Sequence, residues 1–170
     1  IIDGDQKGTV VTFTPDANGD MKNKYLNTVL AGFTITNAKN EEDGGGITIN
    51  GNAKPTLRDL IIEKNIATNG AGIYLKNSAS PNIENSIIRK NDSWNYGKGG
   101  GIYLHDYSGT IINVLIVENT ATNGSALAIN NPYDSYSVNI INSTIARNNS
   151  SYGEISLFEN SKVNITNSIL

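Results

Sequence analysis

The sequence contains no cysteine, which excludes disulfides, thiolate metal sites and thiol nucleophiles. It has one histidine, His105, too few for a multi-histidine metal centre. Charged residues make up only 17% of the chain and the net charge is -3, so nothing favours nucleic acid or an anionic membrane. No apolar run approaches the ~20 residues needed to span a bilayer, so no membrane span is expected within this segment. Apolar residues nowhere recur with a helical period. Asn, Gly, Ser and Thr are abundant instead, a mix that suits tight turns and short β-strands.

A single phrase recurs along the chain. It reads GGGITIN with PTLRDLIIEKN, then GAGIYLKN with PNIENSIIRKN, GGGIYLHD with TIINVLIVEN, GSALAINN with VNIINSTIARN, and finally GEISLFEN with VNITNSIL. Anchored on Ile47, Ile73, Ile102, Leu127 and Ile155, the copies are spaced 26, 29, 25 and 28 residues apart. Pairs such as Ile47/Ile49, Ile73/Leu75 and Ile102/Leu104 alternate with period two, which means strand. A second strand centres on Leu57, Ile83, Ile111, Ile140 and Ile165, and a third on Ile62, Ile88, Ile116, Ile145 and Leu170. The connections lack the paired turn signals of hairpins. Winding each copy into one turn of a parallel coil satisfies all three strands and tolerates uneven turn lengths. The expected fold is all-β, a solenoid of roughly six coils with three short strands per coil, one strand spacing of about 4.8 Å per coil.

Like residues then stack into columns. One is Asp59, Asn85, Asn113, Asn142 and Asn167. Another is Asn65, Asn91, Asn119 and Asn148. Side-chain amides in register can hydrogen-bond from coil to coil where the chain bends. Gly46, Gly72 and Gly101 fit a corner with no room for a side chain. Residues 1–43 read as degenerate first coils: Val11 and Phe13 match the first strand, and Leu30 to Ile35 match the second and third, with Gly32 in the Asn column. Residues 14–27 read as an inserted turn, and 44–170 as regular coils of one domain. Strand-like sequence at Ile1 and a stop in mid-coil at Leu170 suggest a segment of a longer chain, with end-to-end or lateral self-association as one way of covering its ends.

The elements GGGIYLHD and SPNIENSIIRKN, with the Asn85/Asn113/Asn142 column, resemble the right-handed parallel β-helix superfamily, which includes pectate lyases, other polysaccharide lyases and many bacterial surface proteins. The opening IIDGD…GTVVTF…LAGFTITNA looks like the start of repeat arrays in large secreted bacterial proteins. The GGGI and Ile-x-x-Asn elements are similar to the GGAI and FxxN repeats of polymorphic outer-membrane adhesins, although Ile116 or Val117 stands where that family prefers Phe. The resemblance covers nearly the whole chain and implies an extracellular or cell-surface bacterial protein. It is specific for fold and weak for activity.

Period-two parity directs Thr48, Tyr74, Tyr103, Ala128 and Ser156 outward from the first sheet, with Asn50, Lys76, His105, Asn130 and Phe158 beside them. Trp94, Tyr96, Asp106, Tyr107, Tyr133 and Tyr136 are expected on the flanking turns. Aromatic faces with polar tips suit stacking against sugar rings, so these residues form a candidate face for polysaccharide or for another surface protein. Cross-strand packing that merely stabilises the sheet is the alternative. A lyase would use Lys76 or His105 as base, Tyr103 as proton donor, and Lys98 or Arg89 to neutralise a carboxylate. A hydrolase would want two carboxylates, with Asp106 and Asp134 as candidates. Asp16, Asn18 and Asp20 alternate like Ca²⁺ ligands, but Met21 falls where the calcium-loop glycine belongs; a plain Asn-Gly turn accounts for them equally. No other cofactor is suggested. The outward residues of the third sheet, Ile61, Ile87, Leu115, Thr144 and Ile169, form an apolar stripe that invites a cover. A purely structural stalk remains an open alternative for the whole chain.

Overall fold

The computed structural model describes residues 1–14, 28–133 and 137–170. The regular structure in these residues is entirely β, and its strands stack in parallel into four ladders. The first sheet runs Val11–Phe13, Ile47–Asn50, Ile73–Lys76, Ile102–His105, Leu127–Asn131 and Ile155–Glu159. The second contains Thr56–Arg58, Asn82–Glu84, Gly109–Ile112 and Val138–Ile141, with Val29–Ala31 and Val163–Thr166 at its two ends, and the third Ile61–Glu63, Ile87–Arg89, Leu115–Val117 and Thr144–Ala146, preceded at one end by Ile2–Asp3 and Thr34–Thr36. The repeat anchors pair as the sequence alignment requires: Ile47 with Ile73, Ile73 with Ile102, Ile102 with Leu127, and Leu127 with Ile155. The early segment joins in the same way, Val11–Phe13 against Ile47–Ile49 and Val29–Ala31 against Thr56–Arg58.

A fourth ladder goes beyond the three expected strands per coil. It comprises Ile66–Ala67, Asp92–Lys98, Thr120–Asn123 and Asn149–Ser150. Most of these strands are two to four residues long, too short for a period of two to show in sequence.

Inward residues from three sheets fill the coil. Ile47, Ile49, Leu57, Ile62, Ile73, Leu75, Ile83, Ile88, Ile102, Leu104, Ile111 and Ile116 are fully buried in one continuous cluster. Each such side chain contributes roughly 1.5–3 kcal/mol from removal of apolar surface. Because like residues pair in register, isoleucine stacks on isoleucine or leucine, and the core repeats with the chain.

The two polar columns do different work. Asp59, Asn85, Asn113, Asn142 and Asn167 occupy the corner between second and third sheets with φ between 48° and 54–55°, and Gly32 continues the column at φ 75°. This left-handed bend is tolerated by Asn, Asp and Gly better than by other residues. The side chains are exposed and bond one another only in pairs, Asn113 Nδ2 to Asn85 Oδ1 (3.1 Å) and Asn167 Nδ2 to Asn142 Oδ1 (2.7 Å). Asn65, Asn91, Asn119 and Asn148 instead form a buried, continuous ladder. Each Nδ2 donates to the next Oδ1 at 2.9–3.0 Å. Each backbone N–H donates to that same oxygen at 3.0–3.1 Å. The second amide hydrogens reach the carbonyls of Ile35, Ile62, Ile88 and Ile116. At one end Ala38 N–H donates to Asn65 Oδ1, and at the other Asn148 Nδ2 donates to Glu154 Oε2 (2.8 Å).

The glycine column presses against this ladder. A Cβ on Gly72 would lie 2.4 Å from the Gly101 carbonyl and 3.1 Å from Asn91 Nδ2; one on Gly101 would lie 2.6 Å from the Ala126 carbonyl. Serines add a smaller device at the opposite corner. Leu60 N–H donates to Ser86 Oγ, Val114 N–H to Ser143 Oγ and Ser143 N–H to Ser168 Oγ, all at 3.1 Å.

On the third sheet Ile61, Ile87, Leu115 and Thr144 stack in register and are only half-exposed, while Ile169 is largely exposed. Glu63 and Arg89 pair across strands at 2.7 Å. Arg58 does not pair with Glu84: its guanidinium turns to the adjacent Asp59, 2.8 Å away.

Asn119→Ala removes the shared acceptor of Asn91 and the donor to Ile88 and Asn148 inside the coil. It is expected to cost about 3 kcal/mol in urea unfolding. Asn113→Ala, at the exposed left-handed corner, is expected to cost about 1 kcal/mol, and Asn113→Gly close to nothing. Equal losses at positions 113 and 119 would contradict the division of labour between the columns.

Candidate functional site

The outward column of the first sheet stacks as parity requires, Thr48 on Tyr74, Tyr74 on Tyr103 and Tyr103 on Ala128. The two tyrosine rings lie 5.5 Å apart and 13° from parallel. They do not form an open platform, since both residues are only 7% exposed. The preceding turn packs close to the base of each side chain: a Cβ at Gly70 would stand 2.8 Å from Tyr74 Cβ, and one at Gly99 2.7 Å from Tyr103 Cβ. The Asp43 carboxylate lies near the Tyr74 hydroxyl, and the Asn130 side chain near that of Tyr103. Burial, and secondarily the Asp43 carboxylate, push the Tyr74 phenol well above its usual range; burial raises Tyr103 as well. These phenols keep their protons, but Tyr103 is covered where a proton donor would have to meet substrate.

Lys76 and His105 occupy the neighbouring outward position. Lys76 Nζ lies 5.5 Å from the centre of the Tyr74 ring, and His105 lies 6.3 Å from Tyr103 at a 47° tilt. His105 Nδ1 and Asp106 Oδ2 are 3.8 Å apart, beyond hydrogen-bond length. Asp106 Oδ1 and Asn130 Oδ1 are buried without a partner. Lys98 Nζ sits 4.5 Å over the Phe158 ring. Arg89 belongs to the third sheet and is engaged by Glu63, so it does not share this face. Thus Tyr74, Tyr103, Lys76, His105 and Asp106 come together, but as a packed edge and not as a cleft.

Tyr107 departs furthest from its expected place on a ligand-facing turn. It is fully buried in the core, its hydroxyl donating to the Pro81 carbonyl at 3.1 Å. Asn131, also buried, clamps its backbone: Tyr107 N–H donates to Asn131 Oδ1 and Asn131 Nδ2 to the Tyr107 carbonyl, both 2.9 Å. The ring is needed to fill the bend between first and second sheets, and burial raises its phenol. Tyr133 is on a surface turn and largely exposed. Tyr136, Asp134, Asp16, Asn18 and Asp20 lie outside the described residues. Among the described residues no group of three His, Asp or Glu side chains gathers as a metal site.

Trp94 and Tyr96 stand apart from the tyrosine face, on the fourth sheet. The strand Asp92–Lys98 pairs regularly through Ser93–Ala121, then swells outward and returns to register at Lys98–Asn123. Tyr96 at the tip is 87% exposed. Trp94 lines an open groove of about 250 Å³ together with Asp92, Asn95, Thr120, Thr122 and Asn149, with Ser151 at its edge. Asp92, Thr120 and Asn149 occupy one register position on successive coils. Partial burial raises the Asp92 carboxyl above its usual value. Trp94 Nε1 is buried with no acceptor, and Lys39 Nζ approaches the ring at 5.8 Å. The indole is therefore held by packing and a cation–π contact, with no hydrogen bond fixing it.

This groove was not singled out by sequence reasoning, although a signal existed. The coil from Ile73 to Ile102 is the longest of the four, and its extra residues surround the only tryptophan. The polar partners Thr120 and Asn149 carried no such mark.

The family model described as "Right handed beta helix region" matches residues 21–170. No curated protein and no solved structure matches the chain.

Tyr107→Phe leaves the buried Pro81 carbonyl without its donor and is expected to cost about 1 kcal/mol in denaturant unfolding. For Asp92 the sign runs the other way. Its folded-state pKa lies above the unfolded one, so the fold loses stability as pH rises through the carboxylate range. Asp92→Asn should therefore melt above the parent protein at neutral pH, with the gap closing in acid; a lower melting point at neutral pH would count against the desolvation of this carboxyl.

Proposed function

Because the chain belongs to the right-handed β-helix family, whose fold alone does not fix an activity, we propose its function from the surface it presents: a bacterial extracellular scaffold that binds carbohydrate in the fourth-sheet groove. The observation that carries this reading is the open groove itself, which an indole lines together with the polar side chains of Thr120, Thr122 and Asn149. Sugar rings pair an apolar face with a rim of hydroxyls, and this lining offers a complement to both. The first-sheet tyrosines support the scaffold and are too covered to be the platform. The extracellular bacterial setting rests on the likeness of the GGGI and Ile-x-x-Asn elements to surface adhesin repeats. Another surface protein is the competing partner for the same groove.

A structural stalk is the second reading, favoured by the closed first sheet and the uninterrupted inner ladder. Catalysis comes third. Tyr103 is covered, Arg89 lies on a different sheet and Lys98 sits over the Phe158 ring, so a proton donor does not meet His105 at an open surface.

Affinity electrophoresis against a panel of soluble polysaccharides tests the proposal. At least one glycan should retard the protein, Trp94→Ala should weaken that binding about tenfold or more, and Tyr74→Phe should leave it unchanged. Binding that survives Trp94→Ala intact would remove the groove from the argument, and a panel with no binder would favour the stalk.

A further inference from the structure

We infer that the groove selects a neutral glycan, lying along the coil axis, and turns away polyuronates. The inference rests on the carbohydrate-binding reading above and adds the class of sugar.

The orientation follows from the register. Asp92, Thr120 and Asn149 repeat at one position on three successive coils, so their spacing is one strand spacing, about 4.8 Å. That is close to the advance of one pyranose in an extended polysaccharide chain. A glycan along the axis meets a polar side chain at each residue, whereas one lying across the coil meets this column once. The Trp94 bulge forms a wall beside the column, where an indole can lie against a sugar face. The side chains of Thr120 and Asn149 make no hydrogen bond to other described residues, which leaves their donors and acceptors for a ligand.

The charge selectivity follows from the lining. Asp92 is the only ionisable side chain among the groove residues. It heads the polar column, and partial burial already disfavours its charge. A second carboxylate placed beside it meets like-charge repulsion in a partly desolvated setting, where screening is weaker than in bulk water. Two cations are near but outside the lining. Lys39 is engaged with the Trp94 ring, and Lys98, at the far end of the bulge, reaches toward Phe158 on the first sheet. Neither is placed in the column to neutralise a uronate. A neutral sugar avoids the repulsion and can donate a hydroxyl to Asp92, a charge-assisted bond.

The test uses one backbone in two charge states: methyl-esterified polygalacturonate and the same polymer after de-esterification, each titrated calorimetrically at low salt alongside a neutral β-glucan. The wild-type chain should bind the neutral forms about tenfold or more tighter than the de-esterified polymer. Asp92→Asn should close that gap by gaining affinity for the de-esterified polymer, an outcome that misfolding cannot mimic. Equal or tighter binding of the de-esterified polymer by the wild type would overturn the selectivity and leave the carbohydrate reading standing. A gap that persists unchanged in Asp92→Asn would equally overturn it. Failure of all three polymers, and of every glycan in the wider panel, would overturn the carbohydrate reading and this inference together.

Discussion

Four buried amides, one per coil, set the terms for everything else in this chain. A side-chain amide taken out of water must find partners for two hydrogens and an oxygen, and Asn65, Asn91, Asn119 and Asn148 find them in one another and in backbone of the adjoining coils, with the Glu154 carboxylate closing the far end. This makes the register of each coil contingent on the next. A slip by two residues would keep the alternating apolar files of isoleucine and leucine facing inward, but it would strand several buried polar groups together. Hydrophobic burial supplies the larger share of the stabilisation, and the amides supply its uniqueness.

Local strain is accepted to keep that ladder in place. The residues immediately before its asparagines, Lys64, Lys90, Glu118 and Arg147, all sit at φ of 56–57°, a conformation that costs an L-residue roughly 1–2 kcal/mol. None is glycine. The bend turns the following asparagine inward, and the three or four hydrogen bonds made there offset the strain. The long side chains remain outside, where Lys90 and Arg147 both approach Glu118 within 4 Å.

The parts of this fold legible in the sequence are those that repeat. The alternation of Ile47/Ile49 and its copies, the in-register Asn columns and the glycines beside them each appear several times, so chance likeness is averaged away. What stayed hidden is either short or singular. The fourth ladder is built of pairs such as Ile66–Ala67, too brief to carry a period. Tyr107 read as a surface aromatic because its turn has no counterpart of the same length, yet in the fold it is buried in the core. Parity correctly aimed Tyr74 and Tyr103 outward, but outward from a sheet is not the same as exposed, and both are only 7% exposed. The groove eluded sequence reasoning for a related reason: its floor comes from coils that look ordinary, and its wall from the one that does not.

The excursion at Trp94 to Gly97 carries a further consequence. Five steps of chain separate Ser93 from Lys98, against two between their partners Ala121 and Asn123, yet both flanking pairs close in register. The ladder asparagine Asn91 and the anchor Ile102 on either side keep their bonds and their burial. Chain length at this corner is thus decoupled from the pitch of the coil. Evolution can lengthen, shorten or rewrite the segment without renegotiating the core, and an engineer can do the same. A solenoid with one such decoupled corner works like a rail with a movable fitting: the track is fixed by its amides, and what it carries can change one loop at a time.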